Sequence, residues 1–267
     1  MTGGVASARG AGDRIASAFA SHGKRAALMP YLMGGFPDLD ESAAAGEAAA
    51  AAGADLIELG IPFSDPLADG PVIHAAGTAA LAGGATPHGV LRVCERIAER
   101  VPVVLMVYAN VVMAAGAEAF ALRAAAAGAA GVIVPDLPTD EAGDVRAALD
   151  AEGLALVPLV APTTTEERVA EIGAQARGFV YTVALTGVTG ERDEVAPAVA
   201  ATVARVRSAT DLPVAVGFGI STGEQARTVS EIADGVIVGS RVVRAAAEGG
   251  AGAVGGLVAE LAEALAP

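Results

Sequence analysis

The stretch "GVIVPDLPTDEAGDVRAALDAEGLALVPLV", Gly131 to Val160, holds one complete repeat of the architecture. It opens on a short β-branched run, Gly131 to Val134, which reads as a buried strand. It continues through "DEAGDVRAALDAEG", alanine-rich with Glu and Arg at helical spacing, and ends in a second apolar run, Leu156 to Val160. Strand, helix, strand in that order makes the two strands parallel, because the crossover helix returns the chain to the edge it started from. Similar runs occur at Ala27 to Met33, Leu56 to Gly60, Val103 to Tyr108, Phe179 to Val183, Val214 to Val216 and Gly235 to Val238, giving eight candidate strands. Eight strand and helix units in 267 residues suit a closed (β/α)₈ TIM barrel, read as one domain over 1–267 with a flexible N-terminal tail at 1–13. The competitor is an open doubly wound sheet, but "LMGGFPD" after the first strand carries a Gly pair without the GxGxxG spacing. The segment from Gly60 to Pro102 is too long for one helix, so an extra helix is expected to start near Pro71.

The composition narrows the class of partner. The chain is 53% hydrophobic and 18% charged with a formal net charge of −14, which argues against a surface for nucleic-acid phosphates or anionic membranes. No signal peptide or membrane span is read, and a cytoplasmic location is the expectation. The single cysteine, Cys94, reads as a core side chain of a helix. His22, His74 and His88 show no metal-ligand spacing, so no metal is expected.

Barrel enzymes place their chemistry where strands end. In "DLIELG" alternation puts Leu56 and Glu58 on one face and Ile57 and Leu59 on the other, so Glu58 points into the barrel mouth. Apolar surroundings there raise the pKa of a carboxyl group toward the range useful for proton transfer. Asp69, just ahead of the helix expected at Pro71, reads equally as a partner carboxylate or as a complement to the helix dipole. Met106 and Tyr108 share a face of the third strand, and Phe36 and Tyr181 follow or close strands one and six, a pattern that fits a flat aromatic ligand or ordinary core filling. The late loops "TGVTGER", "GFGIST" and "GSR" bring Gly187, Gly190, Gly217, Gly219, Gly239 and Ser240 to helix starts, where backbone N–H groups bind phosphate.

Together these residues resemble the tryptophan synthase alpha subunit family. "IELGIPFSDPLADGPVI" is similar to the family's signature, and "MVYAN", "VPDLP", "YTVALTGVTGER", "VGFGIS" and "GVIVGSR" follow in family order. The resemblance implies retro-aldol cleavage of indole-3-glycerol phosphate to indole and glyceraldehyde 3-phosphate. It implies Glu58 as the general acid/base and Asp69 as the acceptor of the indole N–H. It further implies Phe36, Met106 and Tyr181 around the indole with Tyr108 nearby, and Gly190, Gly219, Gly239 and Ser240 at the phosphate. The resemblance also implies Thr189 as the threonine that meets the aspartate when its loop closes. Pro62 and Asp65 are implied as contacts of a partner beta subunit that carries pyridoxal phosphate, in an alpha2-beta2 heterotetramer; no cofactor is expected in this chain. His74, where the family usually has Gln, and Ala184, where many members have Ser, depart from the pattern. Two other readings stay open from the sequence: a non-catalytic barrel that regulates a partner, and another barrel enzyme acting on a phosphorylated sugar.

Overall fold

The computed structural model of the protein describes residues 11–183, 197–217 and 219–267. Its parallel strands are β1 (Ala27–Met33), β2 (Ile57–Gly60), β3 (Val103–Met106), β4 (Ala129–Ile133), β5 (Ala155–Leu156), β6 (Leu159–Val160), β7 (Val180–Val183), β8 (Val214–Gly217) and β9 (Gly235–Val238). Their hydrogen-bonded order is β5-β4-β3-β2-β1-β9-β8-β7-β6. The two ends of that order are one piece of chain. Val157 N–H donates to Val132 O at 2.9 Å and Tyr181 N–H donates to Pro158 O at 3.0 Å, so the residues between β5 and β6 bridge β4 to β7 and close the barrel. Pro158 has no N–H to give to a ladder, which splits the expected fifth strand into two short pieces. Eight staves therefore appear as nine strands.

Side-chain alternation sorts the core into two layers. Met29, Leu56, Val104, Ile133, Ala215 and Ile237 pack inside the barrel. Leu28, Leu32, Ile57, Leu59, Val103 and Leu105 pack outward against the helices, as the reading of "DLIELG" requires. Small side chains let the helices come close: a Cβ on Gly46 would lie 2.2 Å from Ile97 Cδ1, across the contact between helices Leu39–Ala51 and Pro87–Ala98.

The bottom of the barrel is plugged by the first helix, Ala11–Ser21, which begins within the expected 1–13 tail; residues 1–10 of that tail lie outside the described residues. Ile15 is fully buried among the interior residues, and Phe19 meets Phe179 with ring centroids 5.4 Å apart. Arg14 on the same helix donates to Gly128 O at 3.1 Å and to Ala98 O at 2.7 Å, carbonyls at the ends of two other helices, where a cation complements the dipole. At this end Asp55 pairs with Lys24 at 2.8 Å and accepts the Leu28 N–H at 2.7 Å, pinning the start of β1.

The segment after β2 carries two helices, Pro71–Ala82 and Pro87–Ala98, each with proline in its first turn. The extra helix lies where the length of the segment placed it. Among the described residues no helix is long and apolar enough to cross a membrane.

Candidate active site

At the C-terminal ends of the strands lies a cavity of about 480 Å³. Its acidic wall comes from β2 and the loop after it. Glu58 is 1% exposed, and neither carboxyl oxygen has a hydrogen-bond partner among the described residues. Burial, and secondarily the charge of Asp69, push its pKa up to about 8. A buried carboxyl group without a partner is costly as an anion and available as a proton donor near neutral pH.

Asp69 is half-buried across the same cavity, two residues before the helix Pro71–Ala82. Its Oδ1 accepts the Tyr108 hydroxyl at 2.8 Å, and that hydroxyl accepts the Ala68 N–H at 3.0 Å. Burial raises the Asp69 pKa, while the Tyr108 hydrogen bond and then His74 pull it down. The two carboxyl groups thus sit in different environments: Glu58 buried and without a partner among the described residues, Asp69 hydrogen-bonded and partly exposed. Tyr108 follows the end of β3 and caps the helix Ala109–Ala115, which fixes its side chain beside Asp69.

Met106 and Tyr181 line the cavity, giving it an apolar face on the β3 and β7 sides. Tyr181 is held neutral by burial and by the nearby Glu58 charge. Phe36 stands outside that lining and packs instead against the cluster of Tyr31, Met33, Ala76 and Ala80. Gly219, with a φ of 75°, together with Gly239 and Ser240, lines the cavity after β8 and β9, where the helix Ser240–Ala264 begins. First-turn N–H groups of such a helix have no acceptor within it. Pro62 is buried, and Asp65 is exposed with its Oδ2 taking the Ser64 hydroxyl at 2.5 Å. Thr189 and Gly190, with Gly187 and Ala184, lie outside the described residues. Among the described residues no group of three or more His, Cys, Asp or Glu is placed to hold a metal ion.

The chain matches the family model described as "Tryptophan synthase alpha chain" over residues 18–263. The tryptophan synthase alpha chain of Gloeobacter violaceus is 49% identical over 236 residues, covering 86% of this chain and 86% of that protein. That of Halorhodospira halophila is 50% identical, covering 86% and 85%. This chain belongs to the tryptophan synthase alpha chain family. Solved structures agree: one of Mycobacterium tuberculosis tryptophan synthase superposes with a TM-score of 0.89 at 41% identity, covering 95% of this chain and 98% of that one. The crystal structure of tryptophan synthase subunit alpha from Legionella pneumophila gives 0.85 at 35% identity, covering 94% and 98%.

For this alpha chain the cavity also shows residues that the sequence reading passed over. Tyr31, on β1, is 3% exposed, lines the cavity and stands in register with Glu58 on β2. Its hydroxyl reaches over β2 because Gly60 has no side chain; a Cβ there would lie 2.1 Å from Tyr31 Oη. The same relation holds between Gly217 and Tyr181, at 2.3 Å. Alternation along "ALMPYLM" was sufficient to place Tyr31 inward with Met29 and Met33. Arg241 and Arg244 also line the cavity, and the "GSR" loop was the signal for the first of them.

Proposed function

We propose that this chain cleaves indole-3-glycerol phosphate by a retro-aldol reaction, releasing indole and glyceraldehyde 3-phosphate. The observation that carries the reading is Glu58, buried, without a hydrogen-bond partner among the described residues and with its pKa raised to about 8, facing a cavity whose other carboxylate is already hydrogen-bonded. Glu58 enters protonated and gives its proton to indole C3, making an indolenine-like cation. Asp69, ionised and oriented by Tyr108, accepts the indole N–H and stabilises that charge. As the carboxylate, Glu58 then takes the proton of the glycerol hydroxyl next to the breaking bond. The carbon–carbon bond opens, its electron pair returns to the indole ring, and the carbonyl of the aldehyde forms. One proton has arrived at C3 and one has returned to Glu58, so the catalyst is regenerated.

Met106, Tyr181 and Phe36 supply the apolar surroundings in this reading, with Phe36 packed against the cluster that holds Tyr31. Gly219, Gly239 and Ser240, with Gly190, hold the phosphate through backbone groups, and Thr189 meets Asp69 when its loop closes and excludes water. The loop bearing Pro62 and Asp65 contacts a beta subunit that carries pyridoxal phosphate, in an alpha2-beta2 assembly in the cytoplasm, while this chain works without a cofactor of its own.

Replacing Glu58 tests the reading. Glu58→Gln is expected to lose indole release with and without added beta subunit, while far-UV circular dichroism stays that of the parent. Retained turnover would remove Glu58 from the chemistry.

A further inference from the structure

We infer that Arg241, supported by Arg244, is a side-chain anchor for the phosphate of the substrate, beyond the backbone groups of the glycine loops. This rests on the reaction proposed above. Arg241 is half-buried and Arg244 exposed, and both line the cavity that holds Gly219, Gly239 and Ser240.

Their position runs against ordinary helix electrostatics. Arg241 is the second residue of the helix Ser240–Ala264, at the positive end of its dipole, where a cation is disfavoured. Several helices carry acids there, as with Asp40 and Glu41, Glu166 and Glu167, and Glu224, and others, such as Pro71–Ala82 and Pro87–Ala98, carry none. The helix at Ser240 has no acid in its first turn. Arg244 is three residues on, so two like charges share one face of the helix and repel. A bound dianion offsets both costs at once, and a guanidinium matches a phosphate with two parallel hydrogen bonds. A local rule broken where a cavity opens is the mark of a functional position.

The charges also give the cavity a direction. Glu58 and Asp69 come from β2 and its loop, the arginines follow β9, and β1 pairs with both strands. A phosphomonoester with an uncharged ring at its far end enters this field one way round. Glu58, buried at the acidic side and without a hydrogen-bond partner among the described residues, points independently to a cavity built for a ligand.

The test is steady-state cleavage of indole-3-glycerol phosphate by the full chain, with inorganic phosphate as competitor, at two ionic strengths. R241Q is expected to raise KM about tenfold and to weaken inhibition by inorganic phosphate by a similar factor, with kcat within about twofold. R241K restores charge without the fork and recovers part of the loss, R244Q has a smaller effect in the same direction, and the salt dependence of kcat/KM flattens in R241Q. An R241Q enzyme with unchanged KM, unchanged phosphate inhibition and unchanged salt dependence overturns the inference. Calorimetric titration of parent and R241Q with inorganic phosphate separates the two readings: if the parent releases no indole the proposed reaction fails, while weaker phosphate binding by R241Q upholds the anchor and equal binding overturns it.

Discussion

The Tyr108 hydroxyl donates to Asp69 Oδ1 at 2.8 Å while taking the Ala68 N–H at 3.0 Å, so one side chain both orients the carboxylate and is itself held by the loop that carries it. Tyr108→Phe removes the hydrogen bond that lowers the Asp69 pKa, and that pKa rises further above the ordinary carboxylate value. The acid limb of the kcat/KM profile is expected to move to higher pH, and activity at neutral pH to fall roughly tenfold, the size of one hydrogen bond to a charged group. A pH–rate profile superimposable on the parent's would show that Tyr108 does not tune Asp69.

Glu58, the proposed proton donor, also bears on stability. Its folded-state pKa lies near 8, above the ordinary value of 4.5. Below pH 4.5 both states are protonated and the group costs nothing; as pH rises toward 8 the unfolded chain releases the proton while the folded one keeps it, so stability falls through that window and levels off above it. Glu58→Gln removes the titration. Thermal melts are expected to show the variant matching the parent at pH 4 and exceeding it at pH 8.5, by on the order of a few kcal/mol. Parallel pH dependences of Tm would contradict the raised pKa.

Gly60 and Tyr31 are coupled by space alone. With 2.1 Å between the ideal Cβ position and Tyr31 Oη, Gly60→Ala forces the tyrosine or strand β2 aside, at about 1–3 kcal/mol. In a Tyr31→Leu background the same change is expected to cost markedly less. A double-mutant cycle in urea that gives additive effects would mean the ring is not the obstacle.

Ile15 plugs the end of the barrel opposite the cavity. Ile15→Ala is expected to lose about 2–5 kcal/mol of stability by leaving a hole in a closed core. Indole release at low temperature, where the variant is still folded, should match the parent. A stable variant with impaired catalysis would place the helix in the chemistry instead.

Leu67 is 92% exposed on the loop that carries Asp65, a large apolar side chain facing water in a region read as a partner contact. Leu67→Ser is expected to leave indole release by the isolated chain unchanged and to weaken stimulation by added beta subunit. Titrating beta subunit against indole release measures this, and an unaltered titration curve would remove Leu67 from the interface.

Much of this site was legible because it depends on local grammar. The period of two along "DLIELG" placed Glu58 inward, and the length between Gly60 and Pro102 required the helix at Pro71. The barrel itself followed from alternation of strands and helices. What escaped was set by partners distant in the chain. The splitting of the fifth stave needed the two ladders that meet at Val157 and Pro158. Tyr31 takes its place because Gly60, 29 positions later, leaves room for its hydroxyl, a fact that no single strand contains. Phe36, read as an aromatic beyond a strand end, packs against the Tyr31 cluster and is not in the cavity lining, a contact that the run of sequence does not reveal. The arginines were overlooked because a glycine loop reads as sufficient for phosphate, and only the cavity shows which side chains stand beside it.

The first strand pairs with the last. β1 is held on one side by β2 and on the other by β9, whose residues Gly235 to Val238 lie within the final 33 positions of the chain. Glu58 and Tyr31 are made well before Gly239, Ser240 and Arg241. The proposed proton-transfer group and the proposed phosphate-holding groups therefore come together only when β9 docks on β1, so the proposed site is a product of closing the barrel and of neither stretch alone.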